Sequence, residues 1–286
     1  MKLFLMLMFL SFSLTACFEE NVVNELQVRN GIAYAINQEK PFAGKLIEYW
    51  PNGQKRSEGA FKAGKKNGTF IEWYENGQKK HEGTYKKGRS NSIFTGWYED
   101  GKKKSEGTFK GGYISWYRNG QKRSETNYKD GTGRTISWYE NGQKKLDLSN
   151  IDGIIRQVSW YSNGQKEYVS THKDDKKNGP FIEWYKNGQK RSETTYKDGM
   201  ENGPSTKWYK NGQMEFEGTF KSGMSVGTHT FWYENGQKKQ EDYNGGFMNG
   251  TVISWYDNGQ KMSEETFENY KIVSATRWDK NGQKWP

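Results

Sequence analysis

The chain has 286 residues, a formal net charge of +10, 32% hydrophobic residues and 16% aromatic ones. Half of the apolar content is therefore aromatic, and such a chain cannot fill one large aliphatic core; it can bury an aromatic stripe in each of many stacked units. The positive charge permits contact with anionic lipid, polysaccharide or nucleic acid, although repeated Lys also serves to solvate an exposed sheet and guard its edges.

Residues 1–16 read as a secretory signal. Lys2 supplies a short positive start, and Leu3 to Leu14 is apolar but too short to span a bilayer. The segment ends in Leu14-Thr15-Ala16-Cys17, which resembles a bacterial lipobox. The resemblance implies cleavage between Ala16 and Cys17 and a three-chain acyl anchor, palmitate among the chains, on Cys17. The plainer reading is an ordinary cleavage site with a chance Cys. Cys17 is the only Cys, so it has no internal disulfide to make. More than one acyl chain is what stable anchoring needs. Phe18 rather than Asp follows the Cys. By resemblance to lipoprotein sorting in enteric bacteria, that places the chain at the outer membrane of a Gram-negative cell. Export also argues against nucleic acid as a partner. Residues 17–27 are expected to be a tether.

From residue 28 to 286 the chain is a repeat array. The signature is Trp73-Tyr74-Glu75-Asn76-Gly77-Gln78-Lys79. The aromatic three places before its Asn is Tyr49, then Trp73, Trp97, Trp116, Trp138, Trp160, Trp184, Trp208, Trp232, Trp255 and Trp278. Most steps are 22 to 24 residues and one is 19. A fixed period of this size means tandem structural units rather than a globular enzyme fold.

Within a unit, take the Asn as position zero. Asn-Gly between alternating apolar runs is a hairpin signal. A two-residue loop would set Trp opposite position +4. A three-residue loop, with Gly in the left-handed region and a bulge, would set it opposite the Lys at +3. The repeats favour the second, through opposite charges at −4 and +4: Glu48 with Arg56, Glu72 with Lys80, Glu183 with Arg191, and the reversed Lys207 with Glu215. Arg277 and Trp285 would make a cation–π pair at the last unit. Pro51 falls at the i+1 place of a type I turn, which suits Pro. In this register one face carries Trp at −3, the apolar residue at −5, Lys at +3, Gly at +7 and the aromatic at +9, as in Ile71, Trp73 and Tyr85. The other carries Tyr at −2, the charge pairs and an acid at +6, such as Glu82. The second connection, Lys62-Ala63-Gly64-Lys65-Lys66-Asn67-Gly68, reads as a tight reversal. The expected fold is all-β, an elongated antiparallel meander of tandem hairpins.

The pattern Glu-Gly-Thr-Tyr-Lys-x-Gly-Lys-x-x-Gly followed by Trp-Tyr-x-Asn-Gly-Gln-Lys resembles the MORN-type repeat, most closely the variant of bacterial proteins named as the YwqK-family antitoxin. The resemblance runs from about residue 28 to the C-terminus. It implies a β-hairpin array with a binding or neutralising role and no catalysis. Departures gather at residues 110–175. The step from Trp97 to Trp116 lacks the Lys-x-x-Gly half; Leu146, Asp147 and Asn150, then Glu167, Val169 and His172, replace the usual residues.

No catalytic constellation stands out. His81, His172 and His229 occupy unlike repeat positions, no His or Cys cluster has metal-ligand spacing, and no cofactor motif is present. The expected function is non-enzymatic. A lipid-anchored scaffold would bind a protein partner, in the manner of an antitoxin or immunity protein. The alternative is a cell-envelope structural or adhesive protein that touches glycan, lipopolysaccharide or anionic lipid. The candidate binding face is the Lys and Trp row: Trp73, Lys79, Trp97, Trp116, Trp138, Trp160, Trp184, Lys190, Trp208, Trp232, Lys238 and Trp255.

Overall fold

The computed structural model describes residues 21–108, 111–129, 132–243 and 249–286. The signal peptide expected over 1–16 and the acylation site expected at Cys17 lie outside them. Among the described residues all regular structure is strand. The chain divides into two compact units, 1–101 and 102–286, built from the same hairpin.

In the first unit, Val22–Val23, inside the stretch expected as a tether, pairs in parallel with the strand Gly44–Tyr49. Leu26–Arg29 and Ile32–Ala35 form a separate small hairpin. It is tied down by the Ala33 N–H, which donates to the Gly64 carbonyl at 2.9 Å. Ala33 and Phe42 are buried there. An antiparallel meander follows: Gly44–Tyr49, Lys55–Lys62, Lys65–Trp73, Lys79–Lys86 and Arg89–Trp97. The second unit continues the same plan from Lys103–Thr108 to Lys271–Arg277, strand beside strand in chain order. Its first two strands, Lys103–Thr108 and Tyr113–Trp116, are the shortened pair that the 19-residue step foretells. Residues 132–173, the irregular stretch of the sequence, form ordinary hairpins.

The two connections differ in kind. At the signature, the Gly77 N–H donates to the Tyr74 carbonyl at 3.0 Å and the Tyr74 N–H to the Gln78 carbonyl at 2.9 Å. Gly77 sits at φ +82°. This is the expected three-residue loop, a type I turn closed by a left-handed Gly. Pro51 occupies its i+1 place, since the Gly53 N–H donates to the Trp50 carbonyl. Trp73 faces Lys79. The opposite connection is a two-residue turn with both residues at positive φ, as in Ala63 at 50° and Gly64 at 69°. That is the type I′ geometry, whose twist matches the strands.

One residue beyond the Trp, the expected register fails. A β-bulge between Glu72 and Trp73 leaves Lys80 unopposed, so Glu72 faces His81 at +5. The same shift occurs between Glu48 and Tyr49 and between Glu183 and Trp184. A one-residue slip exchanges the faces. The aromatic at +9 therefore does not share a face with Trp. It lies with the residues at −4, −6, +5 and +7, where Phe70 faces Gly83 and Gly68 faces Tyr85. Trp and the −5 residue share the other face with the +6 acid. The expected division into an aromatic face and a salt-bridged face is thus replaced: each face carries aromatics, and the ion pairs stand beside Trp.

The face of the +9 aromatics holds the core. Phe61, Phe70 and Tyr85 meet edge to face with centroids 6.2 Å apart at each step, a favoured arrangement of aromatic quadrupoles. Phe181 and Tyr196 repeat it at 6.1 Å. Gly59 makes room for this file, because a Cβ there would stand 1.9 Å from the Phe70 ring. The −4 and +5 positions complete that face: Ser192 Oγ donates to the Glu183 carboxylate at 2.8 Å, and Ser57 does the same to Glu48. The cations at +4 instead lie over their own −2 aromatic, Arg56 over Trp50 at 5.0 Å and Lys80 over Tyr74 at 5.7 Å. Lys207 lies 5.7 Å from the ring of its true opposite, Phe216. Arg277 pairs with Glu265 at 2.7 Å rather than with Trp285.

Candidate interaction surface

Four residues of the signature, Tyr, Asn, Gln and Lys, reach into the next repeat. The Asn at zero donates through Nδ2 to the backbone carbonyl at −1 of the following unit, as Asn76 does to Glu99 at 2.8 Å and Asn163 to Lys186 at 2.7 Å. Its Oδ1 accepts the N–H at +2, as from Gln78 at 3.0 Å. The Tyr at −2 donates to the carbonyl of the next Trp: Tyr74 to Trp97, Tyr161 to Trp184 and Tyr185 to Trp208, each at 2.9 Å. Where Trp50 replaces Tyr, its Nε1–H makes the same bond to Trp73 at 3.2 Å. The Gln at +2 lies against the next turn Gly, with Gln54 Oε1 2.6 Å from where a Gly77 Cβ would stand. The signature is therefore a set of clamps along the turn edge of the array.

The Lys at +3 makes two contacts. It pairs with the acid at +6 of its own hairpin, at 2.5 to 3.0 Å in seven units from Lys55–Glu58 to Lys261–Glu264. It also approaches the Trp of the next repeat. Lys55 reaches Trp73, Lys79 Trp97, Lys103 Trp116, Lys122 Trp138 and Lys144 Trp160, between 5.6 and 5.9 Å from the ring centroids. Lys166 reaches Trp184 at 5.5 Å, and Lys190 reaches Trp208 and Lys238 reaches Trp255 at 5.6 Å each. These distances fall within cation–π range. Within each compact unit the structure thus brings the sequence-derived row onto one face, with two breaks in the second unit. Met214 stands where a Lys would approach Trp232, and Val169 stands where an acid would pair with Lys166.

Sequence reasoning put the +6 acids on the opposite face and so missed the middle member of this row. Their i,i+3 spacing from Lys was the available signal. The hydrogen bonds from Lys45 and Lys55 hold Glu58 below the usual carboxylate range, and that from Lys122 does the same for Glu125. In the variant unit, the Arg134 guanidinium lowers Asp147. Burial raises Tyr161 and Tyr209, the clamp phenols.

His81 stacks on Phe94 and His229 is buried against Phe216 and Phe220. Among the described residues no group of three His, Cys, Asp or Glu side chains is placed to hold a metal ion. The surface offers directed polar and aromatic contacts repeated at each unit.

These features define a tandem-hairpin repeat protein whose units are joined through their turns. The family described as "MORN repeat variant" matches at residues 43–63, 66–87, 91–110, 112–130, 177–198, 201–222, 225–243 and 248–269. That is just over half of the chain, and the chain belongs to this family. The unmatched residues 131–176 nevertheless carry the same clamps, as in Tyr139 to Trp160 and Asn141 to Ser162. No curated protein matches the chain. Among solved structures it is similar to a chain of "Crystal Structure of TcdB2-TccC3", with 10% identity over 88% of this chain and 17% of that one, at a TM-score of 0.21. So weak a likeness carries no functional weight.

Proposed function

We propose that the protein is a non-enzymatic, lipid-anchored repeat scaffold of the bacterial cell envelope. It holds a protein partner against its Trp-bearing face, in the manner of an immunity protein that neutralises a toxin. The observation that supports this reading is the charge balance of that face. Seven of its Lys side chains each stand within 3.0 Å of a Glu oxygen. Both signs recur beside a Trp in each such unit, which suits the mixed charge of a protein surface. A polyanion would meet a carboxylate next to most of those cations. Within each compact unit, stacked repeats fix these groups along one face, as repeat scaffolds do for partner binding. The resemblance to the YwqK-family antitoxin points the same way, and the lipobox-like Leu14-Thr15-Ala16-Cys17 argues for a toxin arriving from outside the cytosol.

The test is crosslinking of the full acylated chain in its native envelope, with washes at low and high salt. A protein retained in stoichiometric amount at high salt, and lost from a variant with Lys190→Glu and Glu193→Lys exchanged, is the expected result. Recovery of glycan or lipid alone, and only at low salt, would overturn it in favour of the adhesive reading. The anchor has its own check: Cys17→Ala should release the chain from membranes, and a variant that still sediments with them rules the acyl anchor out.

A further inference from the structure

A second group of cations stands at the type I′ turns of the first unit. Lys62 faces Lys65 across one turn, and Lys86 faces Arg89 across the next. Like charges directly opposite destabilise a ladder. The corresponding pairs of the second unit avoid this. They are Lys129 with Thr132, Ile151 with Ile154, Lys197 with Met200, Lys221 with Met224 and Glu268 with Lys271. Lys173 does face Lys176, but Asp174 and Asp175 form the turn between them. Among the described residues, only the first unit keeps two such like-charged pairs side by side without an acid in either turn.

The two turns also enclose space. A cleft of 550 Å³ is lined by Lys62, Ala63, Lys65, Asn67, Lys86 and Lys87. A second, of 370 Å³, shares Lys65 and Lys87 and adds Lys66 and Arg89 beside Phe61. Neither is lined by a carboxylate. The turns are packed rather than splayed: the Gly88 N–H donates to the Lys66 carbonyl at 2.8 Å, and the Lys65 stem lies where a Gly88 Cβ would touch it. Lys87 takes the left-handed region at φ 51°, a place other turns give to Ala, Ser, Asp or Asn. Lys66 is half-buried over Phe70, with Nζ 3.4 Å from the ring centroid.

We infer that these paired turns form a binding site for a compact ligand bearing two or more phosphate groups. Six cations around adjoining clefts supply the charge-assisted donors that closely spaced phosphate oxygens accept. Arg89 adds a planar fork suited to bidentate contact. A single phosphate would leave most of the repulsion in place, whereas an oligophosphate relieves both like-charged pairs at once. The site lies at the type I′ turns, at the strand ends away from the signature loops and their Trp row, and does not depend on the protein-partner reading.

The test is calorimetric titration of the full chain with tripolyphosphate and with a soluble short-chain lipid diphosphate, and with orthophosphate as the control. The Lys65→Glu, Lys87→Glu double variant is titrated alongside. These side chains are exposed, so folding is checked by the thermal midpoint. A Lys65→Gln, Lys87→Gln variant serves if the first fails to fold. One-to-one binding of tripolyphosphate, stronger than orthophosphate and weakened at least about tenfold by the double substitution, is the expected result. One-to-one binding of the lipid diphosphate with the same loss in the variant would support the site and assign the phosphates to a lipid head group. Absence of saturable binding to either probe, or binding unmoved by both double variants, would overturn the inference.

Discussion

Consider the paired substitution Tyr161→Phe and Asn163→Ala at an interior repeat. It deletes three bonds at one junction. Tyr161 Oη donates to the Trp184 carbonyl at 2.9 Å, Asn163 Nδ2 to the Lys186 carbonyl at 2.7 Å, and the Gln165 N–H to Asn163 Oδ1 at 3.2 Å. The first is half-buried and the other two are exposed. Taking about 1 kcal/mol for the first and about 0.5 kcal/mol for each of the others, the loss is about 2 kcal/mol. In a repeat array stability is close to a sum of unit terms and nearest-neighbour terms, and two of the three bonds belong to a neighbour term. The array should therefore loosen at one place. Hydrogen exchange is the assay. Amides of Lys166–Lys173 and Gly179–Trp184 should lose roughly thirtyfold in protection, while those of Lys261–Glu268 keep theirs. The matching change at the penultimate signature, Tyr256→Phe with Asn258→Ala, removes equivalent bonds, two of them at 3.0 Å to Trp278 and Lys280 carbonyls, and should expose only the last strands. Unchanged protection at the interior junction, or an equal fall along the whole second unit, would refute the clamp as the coupling element.

Three further outcomes follow from particular contacts. Gly59→Ala should cost about 1–3 kcal/mol, because its Cβ would stand 1.9 Å from the Phe70 ring, whereas at Gly83 the nearest atom is 3.4 Å away; equal denaturation midpoints for the two Ala variants would remove the packing argument. Met214→Lys should raise the urea midpoint by the equivalent of about 0.5 kcal/mol, since the new ammonium can reach Glu217 and Trp232, and no rise in low salt would show the row to be ornamental. Asp242 is raised above the usual carboxylate range by burial, against the hydrogen bond from Gln240 and the nearby His229. Its folded-state pKa exceeds the unfolded one, so its contribution is most favourable in acid and is lost as pH rises through the folded value. Asp242→Asn should accordingly raise the thermal midpoint at neutral pH, with the gain closing in acid; a gain that grows on acidification would reverse the assignment.

Much of this fold was legible in the chain. The period, the three-residue loop, the Trp opposite Lys at +3 and the Pro51 turn all follow from local rules that hold whatever surrounds them. What was not legible was a single bulged residue. Position +4 looks like the partner of −4, and the joint change to Lys207 and Glu215 looked like a cross-strand charge swap. In the structure the residue at −4 answers to +5 instead: Glu183 meets Ser192, and Lys207 meets Phe216. Because side chains alternate, that one residue moved the +6 acids to the Trp side and the +9 rings away from it. The candidate surface suffered the same error. Its Trp and Lys members were found by repetition, but their engagement with each other across repeats is a property of the stacked array and not of any one unit.

The acceptors in the clamp are backbone carbonyls. Asn76 bonds the carbonyl of Glu99, Asn141 that of Ser162, Asn163 that of Lys186 and Asn235 that of Asp257. The joint therefore does not inspect the side chain of its neighbour. Any unit that ends in the same turn can follow any other. A gene that duplicates or drops one such module leaves every remaining joint intact, so the number of modules is free to vary while the joint between neighbours stays the same. Side chains facing outward can then diverge toward a new target without renegotiating the contacts that keep the modules in line.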